Sequence, residues 1–269
     1  MKNCLLITLL ALFSTLCYAQ GERSFTFQRS FPGSFSDFTV DNLGNLYLVS
    51  QNGQLKKNSP QGDSLGVFNN LRRYGKLHSV DISNPLKVLL YYRDFQTVVI
   101  LDRFLNTRST VDLRRVGLYQ VKAVAQSYDN NIWIYDEQES KLKKVGDDGR
   151  ILDQTTDFRL LFDSVPSPTN IIDQNKQLYL YDSAKGVYIF DYYGGFRKRI
   201  QFTGWTDFTV INQMILGRDG KYLYRYEPGT LDLKQFLLPS MMLAAKKIVL
   251  GATALYTLDE SGINMYAYP

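Results

Sequence analysis

His78 is the only histidine of the chain, and Cys4 and Cys17 are its only cysteines. One imidazole, with both thiols in the first twenty residues, excludes multi-histidine zinc sites and Cys-His nucleophile pairs and leaves a Ser-His-Asp triad one position. His78 opens an extended run, where a hydrogen-bonded structural role is the expectation. No Gly-x-Ser-x-Gly elbow, phosphate-cradling glycine loop or Ca²⁺-loop spacing occurs. Asp41, Asp81 and Asp173 hold matching places in the chain, yet no carboxylate pair is spaced for acid–base work. The richer pattern is basic. Leu71-Arg72-Arg73-Tyr74-Gly75 and Leu113-Arg114-Arg115-Val116-Gly117 share the form Leu-Arg-Arg-x-Gly, 42 residues apart, with Arg93 between them. Guanidinium forks bind carboxylates and anionic head groups bidentately, which is recognition chemistry.

The elements that carry these residues are strands. Short apolar or alternating runs are punctuated by Gly, Asn, Asp and Pro, and 19 tyrosines and 16 phenylalanines suit a pleated surface better than a helix. A unit returns along the chain: Asp41-Asn42-Leu43-Gly44-Asn45-Leu46-Tyr47-Leu48-Val49, then Lys87-Val88-Leu89-Leu90-Tyr91-Tyr92, Ile132-Trp133-Ile134-Tyr135-Asp136, Leu178-Tyr179-Leu180-Tyr181-Asp182, Met214-Ile215-Leu216 and Leu255-Tyr256-Thr257-Leu258. Anchors Leu46, Val88, Ile132, Leu178, Met214 and Leu255 lie 36 to 46 residues apart. Four short strands at that period make a blade, so the reading is all-β, a six-bladed β-propeller. The last unit runs out after three strands. The alternating segment 24–29 is expected to supply the fourth by pairing with 263–268, closing the ring and covering a strand edge. Residues 160–168 read as a loop, not a seventh unit.

Lys2, the apolar run 4–16 and Cys17-Tyr18-Ala19 follow the plan of a secretory signal peptide cut after Ala19, too short to span a bilayer. Lipid attachment at Cys17 is disfavoured by Leu16, which stands where a small residue is wanted. The expected domains are a signal peptide at 1–19 and one propeller at 20–269, without disulfides. Basic residues number 31 against 26 acidic. That excess is too small for a nucleic-acid footprint, and no other segment reaches membrane-spanning length.

On this plan Arg72, Arg73, Arg93, Arg114 and Arg115 form a basic arc over blades one to three. They lie in outer-to-inner links and in a second-to-third-strand turn, which share one face and oppose acidic turns at Asp136-Glu137 and Asp182-Ser183. Asp41, Asp81 and Asp173 belong to the other face. Lys56-Lys57 and Lys143-Lys144 recur near the ring's outside, where solubility and edge protection account for them. Tyr47, Tyr179 and Tyr256 are read as packing between blades.

Segments 41–49 with 54–57, 129–136 and 176–182 resemble NHL and six-bladed propeller repeats. The span 24–268, with Asp81-Ile82-Ser83-Asn84-Pro85-Leu86-Lys87 and Trp133-Ile134-Tyr135-Asp136, is similar to small exported propellers of Gram-negative bacteria with type IX secretion. The resemblance implies a periplasmic protein whose partner is an envelope protein, an outer-membrane translocon component among them. Together these readings give a non-catalytic binding or assembly protein with no cofactor and no metal. The alternatives are a metal-dependent propeller hydrolase, lactonase or lyase, and a glycan-binding module.

Overall fold

Asp41 shows how the turns are built. Its Oδ1 accepts hydrogen bonds from the amides of Leu43 (2.9 Å) and Asn45 (2.8 Å), and its Oδ2 from Asn45 Nδ2 (2.9 Å). Asp102 does the same for Phe104 and Asn106, and Asp191 for Tyr193 and Gly195. An aspartate that satisfies the amides two and four residues on fixes a tight reversal, and each reversal returns the chain as an antiparallel strand.

The computed structural model describes residues 25–69, 71–251 and 253–268. The expected leader, its cleavage point and Cys17 lie outside them, as do the side chains of Leu71 and Arg72. The described chain forms six four-stranded antiparallel sheets, the blades of a six-bladed β-propeller. Blades one to five run from Phe35–Val40 to Ser64–Phe68, Ser79–Asn84 to Thr107–Asp112, Val121–Gln126 to Ile151–Gln154, Asn170–Gln174 to Phe196–Ile200, and Thr206–Ile211 to Asp232–Leu237. Blade six joins Lys247–Leu250, Ala254–Leu258 and Gly262–Ala267 to the first strand, Thr26–Pro32, with Phe27 opposite Tyr266 and Arg29 opposite Met265. Gly262 permits that pairing. It has φ +139°, and a Cβ there would stand 2.3 Å from the carbonyl oxygen of Phe31, so a side chain would push the strand away.

The core is divided among the seams between blades. Second strands such as Lys87–Tyr92 and Ile132–Asp136 are buried throughout, because a neighbouring blade covers each of their faces. Tyr47, Tyr179 and Tyr256 are buried there. The lysine reading is corrected for three of four residues. Lys56 is exposed, but Lys57, Lys143 and Lys144 are buried, since the third strand of a blade is still roofed by its neighbours. Their ammonium groups are matched: Lys57 to the Arg103 carbonyl (3.0 Å), Lys143 to Asp136 (2.7 Å) and Lys144 to Asp129 (2.9 Å).

Turns between first and second and between third and fourth strands make one rim, here the turn rim. Second-to-third turns and the links between blades make the other, the link rim. Four links carry a short helical turn: Leu71–Tyr74, Leu113–Val116, Phe158–Leu160 and Ser240–Leu243.

Candidate functional site

The link rim displays the arginines. Asp112 Oδ1 accepts from the Arg114 amide (3.1 Å), Leu113 is buried as an anchor, and Gly117 ends the turn at φ +83°. Arg114 and Arg115 are thereby thrown outward, Arg115 with 86 % of its side chain exposed, and the acid that both guanidinium groups reach back to is Asp112, at 3.6 and 3.5 Å. In the preceding link Tyr74 is buried and Arg73 is exposed over its ring, 5.3 Å from the centroid.

Phe95, in the second-to-third turn of blade two, connects the two links. A Cβ on Gly75 would stand 2.9 Å from its ring, and the Arg114 guanidinium lies 5.9 Å from its centroid. Phe95 itself remains 44 % exposed. Arg73, Phe95, Arg114 and Arg115 thus form a basic and aromatic sector. Arg93 has another posture: it is half-buried, its Nη2 donates to the Lys122 carbonyl (2.6 Å), and its buried Nε has no partner among the described residues. It braces blade two against blade three.

The acidic turns are engaged within the protein. Asp136 is held by Lys143, and Asp182 accepts from the amides of Ser167 (2.8 Å) and Ala184 (2.9 Å). Glu137 accepts from Ser167 Oγ (2.5 Å) and Lys122 Nζ (3.2 Å), and these bonds, Ser167 first, hold its carboxyl below the usual range. His78 lines the axial cavity; its amide donates to the Tyr91 carbonyl (2.8 Å) and its ring meets Tyr91 edge-on at 5.8 Å. Loss of hydration, then the Arg93 charge, lowers its pKa.

The six inner strands enclose an axial cavity of about 1740 Å³, with Asp41, Asp81 and Asp173 at its turn-rim end. Those carboxylates are engaged within the protein, except that the buried Oδ1 of Asp173 has no partner among the described residues. Asp81 accepts from the amides of Ser83 (2.8 Å) and, across the seam, Gln126 (2.7 Å); Asp173 Oδ2 accepts from Ser127 Oγ (3.0 Å), the Tyr128 amide (3.2 Å) and Trp133 Nε1 (3.0 Å). Burial, against those hydrogen bonds, raises the Asp173 carboxyl. Among the described residues no group of three or more His, Cys, Asp or Glu is placed to hold a metal ion, and no helix is long and apolar enough to cross a membrane.

Sequence reasoning missed a cluster on the turn rim between blades three and four. The Lys144 ammonium lies 6.0, 4.6 and 4.3 Å from the ring centroids of Tyr128, Trp133 and Tyr192, beside Asp129. No period or motif marks it, because its members come from two blades.

No protein-family model and no curated protein matches the chain. Solved structures do. A catalytically inactive variant of virginiamycin B lyase from Staphylococcus aureus, with quinupristin, superposes with a TM-score of 0.60 at 14 % identity, covering 91 % of this chain and 89 % of that one. A chain of the mitotic checkpoint complex gives 0.59 at 10 %, covering 93 % and 94 %. BamB from Moraxella catarrhalis gives 0.50 at 13 %, covering 86 % and 82 %. At such identities the likeness is one of fold: this chain is a six-bladed β-propeller whose structural neighbours include an enzyme and a component of a protein assembly.

Proposed function

We propose that this protein is a non-catalytic binding or assembly factor of the cell envelope, exported to the periplasm, which docks on a protein partner through the link rim of blades one to three. The observation that carries the reading is the sector of Arg73, Phe95, Arg114 and Arg115, where two outward guanidinium-bearing links converge on one half-exposed phenyl ring. Arginine and aromatic side chains dominate the energetics of protein interfaces, and a rigid backbone lowers the ordering cost of binding. An outer-membrane secretion component is the partner that the sequence resemblance favours. The Lys122–Glu137–Ser167 contacts and the Arg93 brace set the shape of the docking face but leave little free charge to grip with.

The test is capture of envelope proteins from a detergent extract by the tagged mature chain, identified by mass spectrometry. A triple variant Arg73→Ala, Arg114→Ala, Arg115→Ala should lose the partner while its thermal melt is unchanged, each side chain contributing about 1–2 kcal/mol if it sits at the interface centre. Capture unchanged by the triple variant overturns this docking face. A metal-dependent hydrolase or lyase would instead show a melt that rises with added Ca²⁺ and falls with chelator.

A further inference from the structure

The axial cavity extends sideways into the seam between blades five and six. Its floor is Leu238, Met242, Ile248, Leu255 and Tyr266, all buried. Above that floor the walls part, and the gap continues into the axial cavity, with Phe25, Leu223 and Leu250 half-buried on its sides. The third strand of blade five, Tyr222–Glu227, is mostly half-buried and the fourth, Asp232–Leu237, mostly exposed.

The charge in this cleft is unusual. Arg225 lies directly opposite Lys234, and Leu223 opposite Phe236, so the four side chains share one face. Leu223, Arg225 and Phe236 line the cavity. Lys234 reaches Asp232 at 3.3 Å, whereas Arg225 has no ion pair among the described residues. Two cations face to face across a strand pair oppose folding, and the Arg225 side chain, half-buried beside Leu223 and Phe236, makes no hydrogen bond to an acceptor among the described residues, so its guanidinium is free to take one from a ligand. Small-molecule sites have this make-up: concave, mostly apolar, with a few polar groups that fix orientation. Guanidinium is matched bidentately by a carboxylate, phosphate or sulfate.

We propose that the cleft between blades five and six binds an amphiphilic anion, its acidic head on Arg225 and its apolar body along Leu223, Phe236, Leu250 and Phe25. The site lies apart from the arginine sector of the link rim, so it stands or falls independently of docking there.

Isothermal titration of the mature protein with laurate below its micellar concentration tests the proposal, with dodecyl maltoside and dodecyltrimethylammonium as uncharged and cationic comparators. One saturable site for laurate is expected, weakened about tenfold or more in Arg225→Ala, the loss typical of a charged hydrogen bond. Arg225→Glu should bind the cationic amphiphile in preference to laurate. Both variants are read only alongside an unchanged thermal melt, and Phe236→Asp, which spoils the wall but keeps the guanidinium, provides a second route to the same loss. Equal binding of laurate and the uncharged amphiphile, no saturation, or an affinity indifferent to Arg225 overturns the site. So does binding confined to vesicles of phosphatidylglycerol and phosphatidylcholine, which would place the anion in a lipid surface instead of the cleft.

Discussion

The seam between blades three and four and the seam between blades five and six each contain a cation and aromatic rings, and they treat the cation in opposite ways. In the first, Lys144 is buried among Tyr128, Trp133 and Tyr192, pairs with Asp129 and sits 3.2 Å from the Tyr192 hydroxyl, which itself donates to Asp129 (3.0 Å). Trp133 in turn donates to Asp173 of the next blade. In the second, the inner strands are held by Arg218, which bonds Asp207 (2.5 Å) and the Ala245 carbonyl (2.9 Å), and by the Ile248 amide on Asp207 (2.8 Å). Farther out Arg225 has no ion pair among the described residues. The lesson is that inner-strand contacts keep the ring shut, while the outer half of a seam decides whether it is packing or a cleft. A desolvated cation is tolerated where the protein supplies carboxylate and π-faces together.

The widest gap between the two seams should appear on removing the cations. Lys144→Met keeps an apolar stem but leaves Asp129 and the aromatic rings without their partner. It should lower stability by about 3 kcal/mol, as breaking a buried pair does, read as a fall in the urea midpoint at constant slope. A midpoint within error of the parent would mean that the cage does no more than the open seam. Asp129→Asn should cost less, about 1–2 kcal/mol at neutral pH, and its cost should depend on pH. Burial by itself would raise the Asp129 carboxyl, but bonds from Lys144, the Asn131 amide and Tyr192 outweigh it and hold the group far below its ordinary range. The unfolded chain titrates near about 3.9. The stabilisation is therefore present above that pH and lost as pH falls toward the folded value. The gap between parent and variant should narrow below about pH 4, where Asp173 has the opposite sense but is common to both proteins. A gap that widens on acidification would refute the assignment.

Much of the ring was legible because it is written in local chemistry. Asp41, before Asn42, Gly44 and Asn45, announces a turn whose hydrogen bonds close within four residues, and the period of the apolar runs counts the blades. Lys57, Lys143 and Lys144 were misread because exposure was judged from residue type, whereas a third strand's burial is decided by the next blade, some forty residues away in sequence. The arginines are a middle case. The repeated Leu-Arg-Arg-x-Gly placed both stretches in links, and Arg73, Arg114 and Arg115 do stand on one rim, but the inward turn of Arg93 onto Lys122 depends on a carbonyl that no local pattern indicates. The cleft was invisible for a related reason: the strands of blade five alternate much like the others, and that Leu223, Arg225 and Phe236 line the cavity is decided by how blade six packs beside them.

Arg225 permits a finer comparison. Arg225→Met retains the part of the side chain that lies along Leu223 and removes a charge that faces Lys234. If the seam is open and the guanidinium unmatched, the variant should gain about 0.5 kcal/mol, the scale of a like-charge cross-strand pair, or about 1–2 °C in a melt of a domain this size. The gain should shrink in 0.5 M salt, because repulsion between partly exposed charges is screened. Arg218→Met, one strand inward, should instead lose about 3 kcal/mol, because the largely buried Asp207 carboxylate is left with the Ile248 amide but no cation. The opposite signs follow from one structural difference, the presence of Asp207 beside one arginine and of Lys234 beside the other. Should Arg225→Met destabilise as Arg218→Met does, Arg225 must already have its acceptor within the protein, and the cleft would have no charge left to offer an anion.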